Sequence, residues 1–539
     1  MKDLPLDIGT FSNLIENDYI YVDKTKFIHE IYKPGKKFFL SRPRRFGKSL
    51  FVSTLKELFS GNKKLFKGLY IYDKWNWEET YPVMHLDLNV DSTSSYELEN
   101  SLNDLLERIA RNFSVELYGS NLKSRFTNLI IEIHNKYNKN LVVLIDEYDK
   151  PIIDNITNYN LAEANRETLN NFYGILKSSE EFIQFIFITG VTKFSKTSIF
   201  SGLNNVTDIT LDYPCICGYT QKELEYYFKG HISKFSEDNN VSNTDLLSLI
   251  KEWYNGYSWD GENKVYNPYS ILSLFFKGQF NNYWFESGTP SFLIDFIRNN
   301  NNINNNNINN RNLNNNNINT LFNSNKTIRG AFPNFHLKKL DFTTLLLQTG
   351  YLTIKEADIV VGELPLYKLA IPNKEVNDSL FTSIITEYTN DGSEDVVLLS
   401  KKILDEIIKT DNNGLQNSFN NLISSIPSLL YGNIKKRDLI ESFYHGMLLS
   451  WFKLMGFFIE GEVLTSTGRL DAVLKKGDLV VIIEIKYSLT ESLDKMVNKA
   501  VSQIKDEKYY LPYTDYNVVL LGVAFGDREV KSHVELLNI

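Results

Sequence analysis

Cysteine is nearly absent from this sequence, because only Cys215 and Cys217 occur among its 539 residues. Two thiols are too few for a four-cysteine zinc site or for a disulfide framework. Their spacing would place both side chains on one face of a strand. We therefore expect a pair of core residues in a protein of a reducing, intracellular compartment.

Long apolar runs are missing as well. No stretch approaches the roughly 18 residues that a bilayer-spanning helix needs, and the N-terminus lacks the basic start and apolar core of a secretion signal. The sequence therefore predicts a soluble protein of the cytoplasm or nucleus with no membrane partner. The formal net charge of −8 argues against coating nucleic acid by bulk attraction, but it leaves room for a local basic groove.

Asparagine, in contrast, is concentrated in one segment. Residues 299–319 are almost entirely asparagine. Such a segment cannot bury enough apolar surface to offset the entropy lost on ordering. We expect a disordered insertion in a surface loop.

Strands and helices alternate ahead of this segment. The sequence predicts strands at KFFLS, VMHLDLN, LVVLIDE and FIQFIFITG, and a helix at KSLFVSTLKELFSG. This alternation is typical of a parallel sheet covered by helices. The pattern is mostly helical from about residue 218 to residue 269, and from about residue 435 we expect the order helix, strand, strand, helix, strand.

The stretch FFLSRPRRFGKSLF (residues 38–51) has the strand, loop and helix of a phosphate-binding loop. Lys48 would reach the terminal phosphates, and Ser49 would help to hold magnesium. The loop is unusual because Arg42 stands in place of the first glycine and Pro43 removes an amide donor. The two following arginines could contribute charge to the phosphates. The candidate nucleotide-binding residues of this loop are Arg42, Arg44, Arg45, Phe46, Gly47, Lys48 and Ser49.

A second strand supplies the acids that such a loop requires. Asp146, which ends LVVLID, is placed for the metal, and Glu147 is placed to polarise an attacking water. The strand FIQFIFITGVTKF places Thr189 and Lys193 near the same sheet edge. Both could contact the terminal phosphate, although an ordinary exposed pair is an open alternative. The other interpretation of the loop and of LVVLIDE is a basic turn and a buried strand capped by acids, without a nucleotide site. We favour ATP over GTP.

The C-terminal stretch GRLDAVLKKGDLVVIIEIKYS predicts two strands around a turn at residues 476–478. Asp471 lies in the first strand, and Glu484 and Lys486 share a face of the second. The two carboxylates suit Mg²⁺ or Mn²⁺, and Lys486 would orient a nucleophile and offset charge. Glu441, on the helix ahead of the hairpin, could join the metal site. An internal Glu484–Lys486 pair without catalysis is the alternative.

These motifs resemble the AAA-ATPase-like family that is usually paired with a PD-(D/E)XK nuclease domain. The resemblance covers almost the whole chain apart from the asparagine-rich segment, and it includes SRPRRFGKS, LVVLIDEYDKPI, GYTQKELEYYF, WYNGY, NPYSI and LLLQTGYLTI. It implies that the arginine-rich loop is the family's own nucleotide-binding loop. It also implies supporting roles for Gln503 and Tyr509 in the nuclease domain. We interpret WYNGY (residues 253–257) as an aromatic packing corner.

The sequence thus predicts an α/β protein with a P-loop NTPase parallel sheet with helices on both faces, a helical middle region and a C-terminal α/β restriction-endonuclease-like domain. The expected segments are 1–215 (P-loop domain), 216–298 (helical extension), 299–319 (insertion), 320–434 (mixed linking region) and 435–539 (nuclease-like domain). We expect an ATPase that uses ATP and Mg²⁺ and controls a metal-dependent nuclease. Nucleic acid, with DNA favoured, is the expected partner, and homo-oligomers are an option. The alternatives are a nucleotide-switched signalling or nucleic-acid-binding protein with an inactive nuclease-like domain, and an ATPase motor with a structural C-terminal domain.

Overall fold

The structure is a computed structural model that describes residues 1–194, 206–288, 327–329, 342–389, 392–425, 437–464, 469–488, 490–526 and 529–537. The asparagine-rich segment lies outside the described residues, so its disorder stays a prediction. A first compact unit consists of Met1–Gly288 and Thr327–Asn373, and the described part of a second unit begins at Lys374. No helix within the described ranges is long and apolar enough to cross a membrane.

A five-stranded sheet forms the centre of the first unit, with the order β2-β3-β4-β1-β5 and parallel pairing throughout. All side chains of its middle strands β3 and β1 are buried. The predicted parallel sheet is therefore confirmed. The strands are β1 (Lys37–Ser41), β2 (Val83–Asp87), β3 (Leu141–Asp146), β4 (Ile183–Gly190) and β5 (Val206–Asp208).

Helices surround this sheet. The helix that follows β1 places apolar side chains at helical spacing on the sheet, among them Phe51, Leu55 and Leu58. The helices up to β5 are α1 (Phe11–Glu16), α2 (Thr25–Ile31), α3 (Lys48–Phe59), α4 (Ser95–Phe113), α5 (Leu122–Tyr137), α6 (Lys150–Ile153) and α7 (Tyr159–Ser178), with short 3-10 helices at Lys63–Phe66 and Glu180–Phe182.

A helical region and a small antiparallel sheet complete the first unit. Both the capping box of Thr220 and Glu223 and the cap of Asn267 start helices where the sequence has polar residues ahead of apolar runs. The helices are α8 (Gln221–Tyr227), α9 (Lys229–Asn239), α10 (Asn243–Tyr254), α11 (Pro268–Lys277), α12 (Tyr283–Gly288) and α13 (Phe342–Thr349). The strands, in the order β6-β8-β7, are β6 (Thr327–Arg329), β7 (Thr353–Asp358) and β8 (Leu366–Ala370).

The second unit holds a mixed five-stranded sheet, β13-β12-β11-β10-β9, in which β11 and β12 pair in parallel and the other neighbours are antiparallel. Two of its strands, β9 and β13, were absent from the predicted C-terminal order. The strands are β9 (Phe458–Leu464), β10 (Arg469–Lys476), β11 (Leu479–Tyr487), β12 (Asn517–Phe525) and β13 (Val530–Leu536). The helices are α14 (Lys374–Tyr388), α15 (Ser393–Ile408), α16 (Asn412–Ser424), α17 (Arg437–Leu454) and α18 (Leu493–Asp506), with a 3-10 turn at Leu511–Tyr513.

Helix α16 covers the edge of this sheet through two side-chain amides. Asn412 donates to Val534 O and accepts from Val534 N, both at 2.8 Å. Gln416 donates to Val530 O at 2.7 Å and accepts from Ser532 N at 2.9 Å. These bonds satisfy backbone groups of an edge strand that would otherwise be open to pairing. The first compact unit ends at Asn373, and the second continues from Lys374. The segment boundaries expected from the sequence stay predictions.

Candidate functional site

Lys48 is the first residue of α3 and points back into the loop of residues 42–47. The preceding Gly47 has a left-handed backbone with φ +89°, which turns the chain from the loop into the helix. The Lys48 side chain is buried, and its Nζ donates to Arg42 O at 3.0 Å and Pro43 O at 2.9 Å. Burial lowers the pKa of Lys48, while the nearby carboxylate of Asp146 opposes that shift. Ser49, the next residue, is exposed in the first turn of the helix.

Arg42 is fully buried rather than directed at solvent. Its guanidinium donates to the carbonyls of Ser41 (2.8 Å), Thr210 (2.9 Å) and Tyr213 (2.8 Å). The guanidinium carbon also lies 3.9 Å from the ring centre of Trp259. Burial lowers the pKa of Arg42 to about 10. Its assignment to the nucleotide stays a prediction, and these contacts give it a structural role in fixing the loop.

The other two arginines of the loop keep partly exposed side chains. Arg44 pairs with Asp154 at 3.0 Å, and Arg45 pairs with Asp7 at 3.3 Å. The Arg45 guanidinium carbon lies 4.6 Å from the ring centre of Tyr269. Ion pairs at such exposed positions contribute little to stability, so both side chains are able to exchange their partners for a phosphate.

Phe46 anchors the loop on the apolar side. Its ring packs edge-on against Tyr257 at 4.8 Å and against Trp259 at 5.5 Å between ring centres. Tyr257 is the last residue of the WYNGY segment. Gly256 has φ +117°, and a side chain there would run into the carbonyl of Pro372. The segment is thus an aromatic corner, as interpreted from the sequence, and the structure adds that the corner supports the loop.

Asp146 and Glu147 lie at the carboxyl end of β3. Asp146 is 4% exposed, and its Oδ1 accepts from the Thr189 hydroxyl and from Glu147 N at 3.0 Å. Glu147 has a left-handed backbone with φ +51°, a conformation that is uncommon for residues other than glycine. Burial raises the pKa of Glu147, and the charge of Lys48 opposes that shift.

The residues proposed to contact the terminal phosphate have different positions. Thr189 is fully buried at the end of β4 and is brought directly to Asp146. Lys193 lies beyond that strand, where its Nζ forms a 2.6 Å ion pair with Asp208 Oδ2. Thr189 therefore contacts Asp146 directly, whereas the Lys193 ammonium is bound by the Asp208 carboxylate of β5.

Tyr148 and Asp149 connect the end of β3 to the segment that follows β4, and sequence reasoning missed these contacts. Asp149 is 1% exposed and accepts from Val191 N at 3.2 Å and Thr192 N at 2.6 Å, while the Tyr148 hydroxyl donates to Thr192 O at 2.9 Å. Gly190 has no room for a side chain, because a Cβ would run into Tyr148 and Asp149. Burial raises the pKa of Asp149, and its hydrogen bonds from Thr192 oppose that shift. The signal in the sequence was the YD pair that directly follows the two acids.

The second site lies on the hairpin of β10 and β11. Asp471 Oδ2 accepts from Ile485 N at 2.7 Å. Glu484 is 3% exposed, and its Oε1 lies 2.6 Å from Lys486 Nζ. Lys486 also donates to Gln503 Oε1 on α18 at 2.7 Å. The structure therefore brings together the three residues predicted for this site and the supporting glutamine.

The electrostatics of this site favour a cation. Burial raises the pKa of Glu484, the charge of Asp471 raises it further, and Lys486 opposes these effects. Glu484 Oε2 is buried and has no hydrogen-bond partner among the described residues. An ionised carboxylate with an unused buried oxygen, next to a second carboxylate, fits a divalent metal ion. No cluster of three His, Cys, Asp or Glu side chains was found in the described part of the chain, and the Glu441 side chain lies outside it.

Comparison with known proteins identifies both regions. Residues 5–200 match the family described as predicted AAA-ATPase, and residues 439–535 match the PD-(D/E)XK nuclease superfamily. The chain is 35% identical over 532 residues to an "Uncharacterized protein in vnfD 5'region" of Azotobacter chroococcum mcd 1, across 97% of this chain and 96% of that protein. The chain belongs to the AAA-ATPase-like family and carries a PD-(D/E)XK nuclease-superfamily domain.

The family assignment agrees with the position of each site. The loop, Asp146 and Glu147 lie within the AAA-ATPase-like match, and the Asp471 hairpin lies within the nuclease-superfamily match. Tyr509, the other supporting position, is 2% exposed in the apolar core beside β10, β11 and β12. It therefore supports the nuclease-superfamily sheet by packing.

Proposed function

We propose that this chain binds and hydrolyses ATP in its AAA-ATPase-like domain and thereby controls metal-dependent cleavage of nucleic acid, with DNA preferred, by its PD-(D/E)XK domain. The observation that carries the proposal is the ion pair of the buried Glu484 with the partly exposed Lys486, in which the second Glu484 carboxylate oxygen, beside Asp471, has no hydrogen-bond partner among the described residues. A buried charge with an unused acceptor is costly. A bound metal ion would offset that cost by coordinating the buried carboxylate.

In the AAA-ATPase-like domain, Lys48 would exchange two neutral carbonyls for phosphate oxygens, which bind an ammonium more strongly. Ser49 and Asp146 would hold Mg²⁺, which when bound neutralises phosphate charge. Glu147, whose pKa is raised by burial, would orient the attacking water and accept its proton. Thr189 keeps the Asp146 carboxylate in place through its hydroxyl. Arg44 and Arg45 would add charge at the exposed side of the loop.

In the PD-(D/E)XK domain, Asp471 and Glu484 would hold Mg²⁺ or Mn²⁺, which when bound supplies a water of lowered pKa and offsets charge on the phosphate. Lys486 would donate to the nucleophile or to a phosphate oxygen and offset the developing negative charge. Gln503 fixes the ammonium by accepting its second hydrogen bond at 2.7 Å. The position of the Lys486 ammonium is thus fixed by its hydrogen bonds to Glu484 and Gln503.

The alternative is a nucleotide-switched protein whose nuclease-like domain grips nucleic acid without cutting it. One observation favours it: within the described side chains, the site offers two carboxylates and no third acidic, histidine or cysteine ligand. Under this alternative, Glu484 and Lys486 form an internal ion pair. Nucleic-acid affinity would then be unchanged in a Glu484→Gln variant, and no product would form.

The deciding experiment measures cleavage of linear, circular and single-stranded DNA and of RNA, with Mg²⁺ or Mn²⁺ and with or without ATP. Wild type is compared with Lys48→Ala and Lys486→Ala. We expect cleavage that requires Lys486 and that responds to ATP only when Lys48 is present. The absence of any product while ATP still binds would reject the nuclease and favour the binding protein.

A further inference from the structure

A basic surface lies at the opposite end of α3 from Lys48, on the chain that follows that helix. Residues 60–76 contain four lysines and a single acid, Asp73, although the whole chain has a formal net charge of −8. All four lysines are exposed. We call them the lysine surface, and its members are Lys63, Lys64, Lys67 and Lys74. The local charge here is therefore opposite in sign to that of the whole chain.

The backbone beneath the lysine surface is fixed by packing and by hydrogen bonds. Phe66, the last residue of the 3-10 helix, is fully buried, and its ring centre lies 5.3 Å from that of Trp77. Further along the chain, Asp23 Oδ2 accepts from Tyr70 N at 2.7 Å. The lysines thus project from a backbone that is already ordered, so a ligand would bind without the entropic cost of ordering it.

The ammonium groups of the lysine surface are not neutralised by carboxylates. Among the described residues, none of its four members forms an ion pair. Lys74 Nζ lies 4.2 Å from the ring centre of Tyr70 and donates to Tyr70 O at 3.3 Å, and Lys63 Nζ lies 5.2 Å from the ring centre of Tyr72. Aromatic rings and carbonyls hold a cation without cancelling its charge. Positive charges that are grouped and uncompensated in this way attract a polyanion.

The apolar side chains of the stretch help to identify the polyanion. A surface that binds membranes inserts large apolar side chains between the lipids. Here Phe66 is buried, Leu65 and Leu69 are partly buried, and Tyr70 is the one large apolar side chain of residues 60–76 that is exposed. The chain also carries a PD-(D/E)XK nuclease-superfamily domain, which suggests nucleic acid. A phosphodiester backbone is therefore the polyanion that fits best.

We propose that the lysine surface binds the phosphodiester backbone of nucleic acid, irrespective of base sequence, as a contact additional to the proposed cleavage site. The inference rests on the proposed function only for the choice of nucleic acid as the polyanion. Each lysine that binds a phosphate releases a counterion, so the affinity should fall as the salt concentration rises. Because contacts to phosphates carry no sequence information, their loss should weaken binding equally for different DNA sequences.

The test measures binding of two fluorescent DNA duplexes of unrelated sequence at several salt concentrations, in EDTA so that no metal-dependent cleavage occurs. The first variant removes three neighbouring charges, and it combines Lys63→Gln, Lys64→Gln and Lys67→Gln. The matched control removes three exposed lysines of α8 and α9, where acids such as Glu225 and Glu237 are interspersed. It combines Lys222→Gln, Lys229→Gln and Lys234→Gln.

For the first variant we expect the Kd to rise about tenfold at physiological salt for both duplexes. The slope of log affinity against log salt concentration should become shallower by about three, one for each lysine removed. The control loses the same net charge and should keep the wild-type Kd and slope. A third variant, which combines Lys63→Arg, Lys64→Arg and Lys67→Arg, keeps the charge and should also bind as wild type does.

Equal losses in the first variant and the control would overturn the inference, as would wild-type binding by the first variant. Tighter binding to vesicles of phosphatidylcholine and phosphatidylserine than to DNA, lost in the first variant, would also overturn it in favour of a membrane. Cleavage in Mg²⁺ is scored separately. If the wild type binds through the lysine surface but does not cut, the proposed nuclease fails and the inference stands. If it cuts while the first variant binds as wild type does, the inference fails and the proposed nuclease stands.

Discussion

Each domain contains a lysine that is held beside acidic side chains, but the two lysines have different partners. Lys48 donates to two neutral backbone carbonyls. Lys486 donates to the Glu484 carboxylate and to the amide oxygen of Gln503. The Lys48 ammonium therefore has only neutral partners among these hydrogen bonds, whereas the charge of the Lys486 ammonium is offset by the Glu484 carboxylate.

This difference indicates what each site attracts. The carbonyls satisfy the hydrogen bonds of Lys48 without cancelling its charge, so an anion such as a phosphate gains by replacing them. At the other site the charges of Glu484 and Lys486 cancel, and Asp471 leaves an excess negative charge. A divalent cation would be the matching ligand there. Under the proposed function, similar residue types would form an anion site in one domain and a cation site in the other.

The largest effect is expected for Lys486→Ala. The substitution leaves Glu484 buried without its positive neighbour, and the pKa of this carboxyl is already raised by burial and by Asp471. We expect cleavage to fall by about 10²- to 10³-fold, with ATP affinity unchanged. Lys499→Ala, which removes an exposed lysine from α18, is the matched control. Equal cleavage by both variants would mean that the Glu484–Lys486 pair is structural only.

A smaller effect is expected for Lys48→Ala. The loss of a charge-assisted contact to phosphate should weaken ATP binding by about 10- to 100-fold, as measured by titration with a fluorescent ATP analogue. Cleavage in the absence of ATP should not change. Lys56→Ala removes an exposed lysine from the same helix and should bind ATP as wild type does. If Lys48→Ala retains full affinity, the contrast between an anion site and a cation site is lost.

Gln503→Ala should have a more modest effect on cleavage. It removes one hydrogen bond from Lys486 and leaves the ion pair with Glu484 in place. We expect a decrease in cleavage rate of about fivefold to tenfold, corresponding to a single charge-assisted hydrogen bond. Rates at several Mg²⁺ concentrations would separate this effect from weaker metal binding. A loss as large as that of Lys486→Ala would show that the glutamine, and not the ion pair, sets the lysine position.

Much of the fold could be predicted from the sequence because apolar runs specify the buried strands directly. KFFLS coincides with β1, and LVVLID coincides with β3. Strand β9 was missed because Gly461 and its flanking glutamates interrupt the apolar run. Strand β13 was missed because an edge strand alternates with polar residues such as Lys531 and His533.

The candidate sites were predictable where sequence spacing fixes geometry, and less so where distant segments meet. Glu484 and Lys486 lie two apart on one strand, so their pairing followed from the strand period. Nothing local in the sequence indicated that Arg42 would stack on Trp259, or that Gln348 would accept from Lys193. Such contacts depend on tertiary packing, which leaves no periodic signal.

Gly350→Ala is expected to have the smallest effect on ligand binding, and it tests how firmly the phosphate-binding loop is supported. The added Cβ must push against Pro43 at 2.9 Å, which displaces the loop. We expect ATP affinity to fall about threefold. The left-handed backbone at this position should also cost about 1–2 kcal/mol in the free energy of unfolding.

Gly278→Ala separates these two consequences. Gly278 has φ +70°, but a Cβ there would meet nothing within 4 Å. The Gly278→Ala variant therefore has the backbone strain without a steric clash against a neighbouring residue. Both variants should unfold at lower denaturant concentration, and only Gly350→Ala should lose ATP affinity. The clash in Gly350→Ala is with Pro43 of the phosphate-binding loop. ATP-independent cleavage should therefore be unchanged in both variants. An equal loss of ATP affinity in Gly278→Ala would show that general destabilisation, and not the contact with Pro43, weakens the anion site.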